Sequence, residues 1–198
     1  MCAKRFLRER ASFLFRGDAA SRVVERTATL TALDRRIVFN DNKEGLFGMR
    51  VARQLEQPST TPEVFTDANG RATSVPVLDN AGVTGSYTSS EGKTGDAVWS
   101  TRGRWTMLTG KIGSEAVTLA ILDHKSNPGF PTYWHARGYG LFSANPLGQK
   151  VFDAKQPALN VTLEPGASVT FRYRFLILDG TATADRLERE FKAFADGR

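Results

Sequence analysis

The sequence predicts an all-β protein, an antiparallel β-sandwich carrying one C-terminal helix. Three observations carry that expectation. Period-two alternation recurs along the chain, turn-forming residues separate the alternating runs, and only the last segment shows helical spacing.

Arg22 to Leu33 alternates Thr with apolar residues, and Arg36 to Phe39 is a β-branched and aromatic run. From Leu46 to Leu55, Phe47, Met49 and Val51 fall on one face and Arg50 on the other. Further runs cover Trp105 to Ile112, Ala116 to Leu122, Tyr139 to Ser143, Ala158 to Leu163 and Ser168 to Leu178. In the last, Val169, Phe171, Tyr173, Phe175 and Ile177 alternate with Thr170, Arg172 and Arg174, which predicts one buried and one wetter face. Asp67-Ala68-Asn69-Gly70, Glu91-Gly92, Glu164-Pro165-Gly166 and Asp179-Gly180 supply the turn chemistry. Thr84 to Asp96, rich in Gly, Ser and Thr, reads as a long polar loop. Asp185 is the expected N-cap of the helix, with Glu188 three residues on and Leu187, Phe191 and Phe194 as its apolar stripe. Strand is therefore expected to exceed helix by at least about threefold, against base rates that favour helix.

The 198 residues, 40% of them hydrophobic, suit a single domain with a real core. The net charge of +6 does not point to nucleic acid, because basic residues alternate with acids, as in Arg186-Leu187-Glu188-Arg189-Glu190. Cys2 is the only cysteine, so no intrachain disulfide forms and the compartment stays open. No apolar run approaches a membrane span, and no membrane partner is expected. The N-terminal basic residues lack the apolar region and cleavage site of a signal peptide.

The densest polar stretch runs from Asp123 to Gly148 and holds both histidines, His124 and His135, with Arg137 and Asn145. Trp134 and Tyr139 are the aromatics suited to stack on a sugar ring, while Asp, Asn, Arg and His would bond its hydroxyls. His124, His135 and Asp123 could equally move protons, since His titrates near neutrality. The bland alternative is a β-corner loop whose polar groups satisfy backbone and whose Trp134 fills core. Neither the His-Glu-x-x-His spacing of a metal site nor the Gly-x-Ser-x-Gly of a nucleophile elbow occurs, so no metal and no cofactor are expected. A second candidate is Asp41 to Arg50, where Lys43, Glu44 and Arg50 sit at the mouth of an expected strand with Lys43 and Glu44 on opposite faces.

Asp41 to Arg50, Val98 to Trp105, and Tyr133-Trp134-His135-Ala136-Arg137-Gly138-Tyr139-Gly140 with Asn145-Pro146 resemble the bacterial uncharacterised family usually labelled "methane oxygenase PmoA". The likeness spans about Arg8 to Leu178. It does not imply a membrane monooxygenase, whose subunits are built from membrane helices. It implies a bacterial β-sandwich, half of a galactose-mutarotase-like super-sandwich, of a kind associated with sugar breakdown. Family members extend further at the N-terminus, so this chain resembles their C-terminal portion. Lys125 stands where the family has Pro, and Ser100 where it has Gly after Trp.

The leading expectation is a carbohydrate-active or carbohydrate-binding protein. Trp134 and Tyr139 would stack on the ring; Arg137, Asn145 and Arg50 would bind hydroxyls or a carboxylate. His135, His124 and Asp123 would handle protons, with Lys43 and Glu44 lining the same cleft. The alternative is a non-catalytic structural or interaction module. His135 and Arg137, two apart on an extended segment, should share a face and meet Asp123 or His124. A truncated β protein should leave an apolar edge open, among Phe39, Phe47 and Val51, or associate with itself through that edge.

Overall fold

In the computed structural model, which describes residues 5–44, 46–59, 67–74 and 79–197, the alternating runs become strands of three antiparallel sheets. The strands are β1 (Leu7–Gly17), β2 (Ser21–Ala32), β3 (Ile37–Phe39), β4 (Phe47–Arg50), β5 (Ser86–Ser89), β6 (Trp105–Ile112), β7 (Glu115–Asp123), β8 (Tyr133–Ala136), β9 (Leu141–Asn145), β10 (Val161–Leu163) and β11 (Ser168–Asp179). One α-helix, α1 (Ala184–Ala195), follows them. The large sheet has the order β1-β2-β11-β7-β6-β5 and the small sheet β4-β9-β8, while β10 pairs with β3. No helix among the described residues is long and apolar enough to cross a membrane.

The architecture has three layers, with the large sheet in the middle. On one face Leu30, Tyr87, Leu108, Ile121, Phe171 and Tyr173 meet Trp134, Ala136, Phe142 and Ala144 of the small sheet. On the other, Trp105, Ala120, Leu122, Leu176 and Leu178 meet Leu187, Phe191 and Phe194 of α1. Burying each large apolar side chain contributes about 1.5–3 kcal/mol, so both interfaces are strongly driven.

That second layer corrects the expectation of a wetter face on β11. Leu176 and Leu178 are buried beneath α1, whereas Ile177 is exposed. Arg174 is only 4% exposed, 2.7 Å from Glu25 and with its guanidinium over the Phe194 ring. An arginine stem can lie along apolar surface, so Arg and Leu share a covered face.

The helix is capped two residues before the expected position. Thr183 is the N-cap and its side chain accepts from the Arg186 N–H. Glu188, expected to close a capping box, instead accepts from Trp105 Nε1 and Arg104 Nη2, each at 2.8 Å. The only donor on the Trp105 ring is thereby satisfied in the core.

β1 and β5 fall outside the runs expected from the sequence, as does β8, expected only as an extended segment. β1 lies in a stretch whose charges mask its alternation, and β5 lies inside the expected polar loop. Phe39, Phe47 and Val51 are not the exposed edge residues; they are partly buried against the core. Exposed apolar side chains occur instead on β1, at Phe13, Leu14 and Phe15.

Candidate functional site

The small sheet presents a polar outer face. Its register sets His135 opposite Ser143 and Ser143 opposite Gly48, with Leu141 opposite Arg50. Since Trp134, Ala136, Phe142 and Ala144 turn inward, alternation sends His135, Ser143 and Gly48 outward together. Gly48 matters by what it lacks. A Cβ there would stand 2.9 Å from Ser143 Oγ. Without it the face opens into a cavity of about 410 Å³, lined also by Glu44, Leu46, Met49, Arg50 and Leu141.

His135 is 3% exposed and lines this cavity. Its Nδ1 lies 3.0 Å from the Lys43 carbonyl oxygen. A carbonyl only accepts, so Nδ1 carries the hydrogen and Nε2 the lone pair. Nε2 is buried and, among the described residues, has no hydrogen-bond partner. Burial holds the imidazole below its usual pKa of 6.5, outweighing the Lys43 carbonyl bond, and the Arg137 charge works in the same direction as burial. The ring is therefore neutral, with an unused acceptor.

An aromatic wall flanks it. Phe152 stacks on Tyr133 at 5.2 Å and meets His135 edge-on at 6.3 Å and Trp99 at 6.1 Å. Asp41 pins the loop that carries Phe152. Its carboxylate accepts from the N–H groups of Gln149, Lys150, Val151 and Leu159 at 2.8–3.0 Å. Burial alone would raise the Asp41 pKa, but these four bonds outweigh it and hold it below the usual value.

The predicted site residues divide into three groups. Glu44, Arg50 and His135 line the cavity, with Lys43 joined to it through its backbone. Lys43 and Glu44 do not point apart as expected; their charged ends lie 3.9 Å from each other, both exposed, because they precede β4 rather than belong to it. Arg50 stacks over Tyr139 at 5.0 Å and donates to its carbonyl, so the Tyr139 ring is occupied by a neighbour. Arg137 leaves β8 and lies over the Trp99 ring at 4.2 Å.

Four residues are placed elsewhere. Trp134 is fully buried between the sheets, donating to the Gly103 carbonyl, and burial takes it out of any sugar stacking. Asn145 is also fully buried, tying the Asn42 carbonyl to the Leu147 N–H. Asp123 has no exposure and accepts from Asn127 Nδ2 at 2.7 Å and the Thr132 N–H at 2.9 Å. His124, the residue after β7, packs against the helix instead. Its ring meets Phe194 of α1 at 5.0 Å, and Nδ1 accepts from the Ser126 N–H. The expected meeting of His135 with Asp123 or His124 is thus replaced by His135 with Ser143, Glu44 and Arg50.

Ser100 stands at φ 63°, in the left-handed region that favours glycine. Its Oγ donates to the Phe152 carbonyl at 2.8 Å, which helps hold the aromatic wall. Among the described residues no group of three His, Cys, Asp or Glu is placed to hold a metal ion.

Fold and site together define an all-β protein of layered antiparallel sheets with a polar, glycine-floored cavity on its smaller sheet. The chain belongs to a family of unknown function, DUF6807, whose profile matches residues 2–192. No curated protein and no solved structure matches it.

Proposed function

We propose that the cavity on the small sheet binds a sugar or glycoside, with His135 as the group that engages a hydroxyl proton. The unpaired Nε2 of the buried His135 carries this reading. A buried polar atom left without a partner costs about 1–3 kcal/mol, which a ligand O–H donated to Nε2 recovers once a small movement of the side chain brings that atom to the cavity. Around it stand complementary groups. Glu44 accepts from hydroxyls, Arg50 donates to their oxygens, Ser143 does either, and Leu46 and Leu141 offer apolar surface to ring C–H groups. The volume suits a small ligand, since binding cavities run from about 300 to 1,000 Å³. The resemblance to the PmoA-labelled family, associated with sugar breakdown, points the same way.

The chemistry of such a site is narrower than hydrolysis. Glycoside hydrolysis ordinarily uses two carboxyl groups across the scissile bond. Glu44 is the one carboxylate among the described lining residues, because Asp41 and Asp123 serve the backbone. Binding, with proton transfer at His135 as the step the geometry supplies, is the activity these groups support.

The test is calorimetric titration of a panel of neutral mono- and disaccharides into the wild type and His135→Asn. The Asn amide can keep the bond to the Lys43 carbonyl but offers no acceptor at the Nε2 position. The expected result is binding by the wild type and at least a roughly tenfold loss in the variant, equivalent to about 1.4 kcal/mol. No heat with any saccharide, or unchanged affinity in His135→Asn, would reject the site and favour the non-catalytic module.

A further inference from the structure

The two edges of the large sheet differ in kind. At one, β5 has four residues and its Thr88 is bridged by Thr94 of the same chain. At the other, β1 runs for 11 residues with no neighbour among the described residues beyond β2. Phe13, Leu14 and Phe15 in its middle are 53%, 51% and 71% exposed. A long, apolar, unpaired edge is a template for another strand.

The hydrogen-bond phase of that edge is fixed. Asp18 N–H donates to the Ser21 carbonyl and Leu33 N–H to the Phe6 carbonyl. Even-numbered residues of β1 therefore direct their N–H and C=O groups to β2, and Ala11, Phe13, Phe15 and Gly17 direct theirs outward. An antiparallel partner related by a twofold axis normal to the sheet must pair odd residues with odd ones. Only a few such registers exist.

We propose that β1 pairs with β1 of a second copy of this chain, antiparallel, about a twofold axis through Leu14. This register sets Phe13 opposite the other copy's Phe15, Leu14 opposite Leu14, Ala11 opposite Gly17, and Arg10 opposite Asp18. It also sets Ser12 opposite Arg16, and no pair in it brings like charges together. Moving the axis to Phe13 sets Arg10 against Arg16, and moving it to Ser12 sets Arg8 against Arg16 and Glu9 against Phe15. Moving it to Phe15 sets Leu14 against Arg16. Like charges directly opposite destabilise a sheet, and a charge opposite an apolar residue forgoes a favourable cross-strand pair, so side-chain chemistry favours the Leu14 axis. The four outward residues of each copy supply about eight backbone hydrogen bonds, and the large sheet becomes continuous through both molecules.

The test uses the residue on the axis. In a Cys2→Ser background, Leu14→Cys places two thiols on directly opposed residues. These form a pair not hydrogen-bonded to each other, with Cα atoms about 4.5 Å apart, inside the range a disulfide spans. Ser12→Cys places them four residues out of step, roughly 13 Å apart. Mild oxidation should give a covalent dimer with Leu14→Cys and at least a tenfold lower yield with Ser12→Cys. Light scattering on the unmodified chain should give twice 21.8 kDa at high concentration. Phe15→Lys, at an exposed position, should give the single mass. A wild type that stays monomeric, equal cross-linking by both cysteines, or a dimer that persists in Phe15→Lys would each overturn the proposal.

Discussion

Replacing Asp123 by Asn should change how stability depends on pH, rather than remove an active-site acid. The carboxyl has no exposure, and burial pushes its pKa up to about 7 from 3.8, outweighing the bonds from Asn127 and Thr132. A raised folded-state pKa means that the fold favours the protonated form. Its contribution is complete below pH 3.8 and is lost as pH rises through about 7. At 1.36 kcal/mol per decade, the span from 3.8 to about 7 amounts to about 4 kcal/mol. Asn cannot ionise, so Asp123→Asn escapes that loss. It instead turns an amide N–H₂ toward one of two donors, at a cost of about 1–3 kcal/mol. The variant should be the less stable protein near pH 4, and its deficit should shrink or reverse near pH 8. His124 and His135, both held below 6.5 chiefly by burial, act oppositely and weaken the fold as pH falls. They are common to both proteins and cancel in the difference. Urea denaturation of both chains across this range measures it. A stability difference that stays constant with pH would refute the argument, and so would loss of saccharide binding in a variant of unchanged stability.

Two further outcomes follow from the small sheet. Gly48→Ala should abolish binding in the cavity and cost about 1–3 kcal/mol by overpacking, because its Cβ meets Ser143 Oγ at 2.9 Å and Ser143 Cβ at 3.0 Å; adding Ser143→Gly, which removes both atoms, should restore part of the denaturation midpoint. Asp41→Asn should speed hydrogen exchange at Gln149, Lys150, Val151 and Leu159, the four amides its carboxylate holds. Since the Asp41 pKa is lowered in the fold, the wild type should lose the same protection only as pH falls below 3.8.

Alternation made most of the fold legible. β6 coincides with the expected Trp105–Ile112 run, and the apolar stripe of α1 is buried as expected. β1 was hidden because Arg8, Glu9, Arg10 and Arg16 interrupt its pattern, an outcome typical of an edge strand whose charges reach water. The face of β11 was misread for a different reason. Arg172 and Arg174 look solvated in sequence, and only the packing of α1 explains why Leu176 and Leu178 share their side. The site was legible in part. Parity along β8 separated His135 from Trp134, but nothing local distinguishes an aromatic facing core from one facing a ligand. Ser143 was accessible to the same reasoning, since it lies two residues from Asn145 on β9. Gly48 was not, because its role is an absence set by two neighbouring strands.

The Asp123-to-Gly148 stretch looked catalytic because polar types crowd there, yet most of them hold backbone. The small sheet has three strands of four to five residues, and irregular segments, 124–132 before β8 and 146–160 after β9, flank them. Each such segment carries N–H and C=O groups that no ladder satisfies, and buried backbone groups must find partners. Asp41 serves four N–H groups, Asn145 one of each kind, Asn127 the Arg172 N–H and C=O, and Arg102 the carbonyls of Gly129 and Pro131. Polar density in this fold is thus first a measure of irregular backbone. A functional residue is the one left over once that demand is met. His135 meets it with Nδ1 alone, has no partner for its buried Nε2 among the described residues, and itself lines the cavity. Six other buried polar atoms also lack a partner among the described residues, but none belongs to a residue lining this cavity, and that coincidence, rather than the crowding, singles out His135.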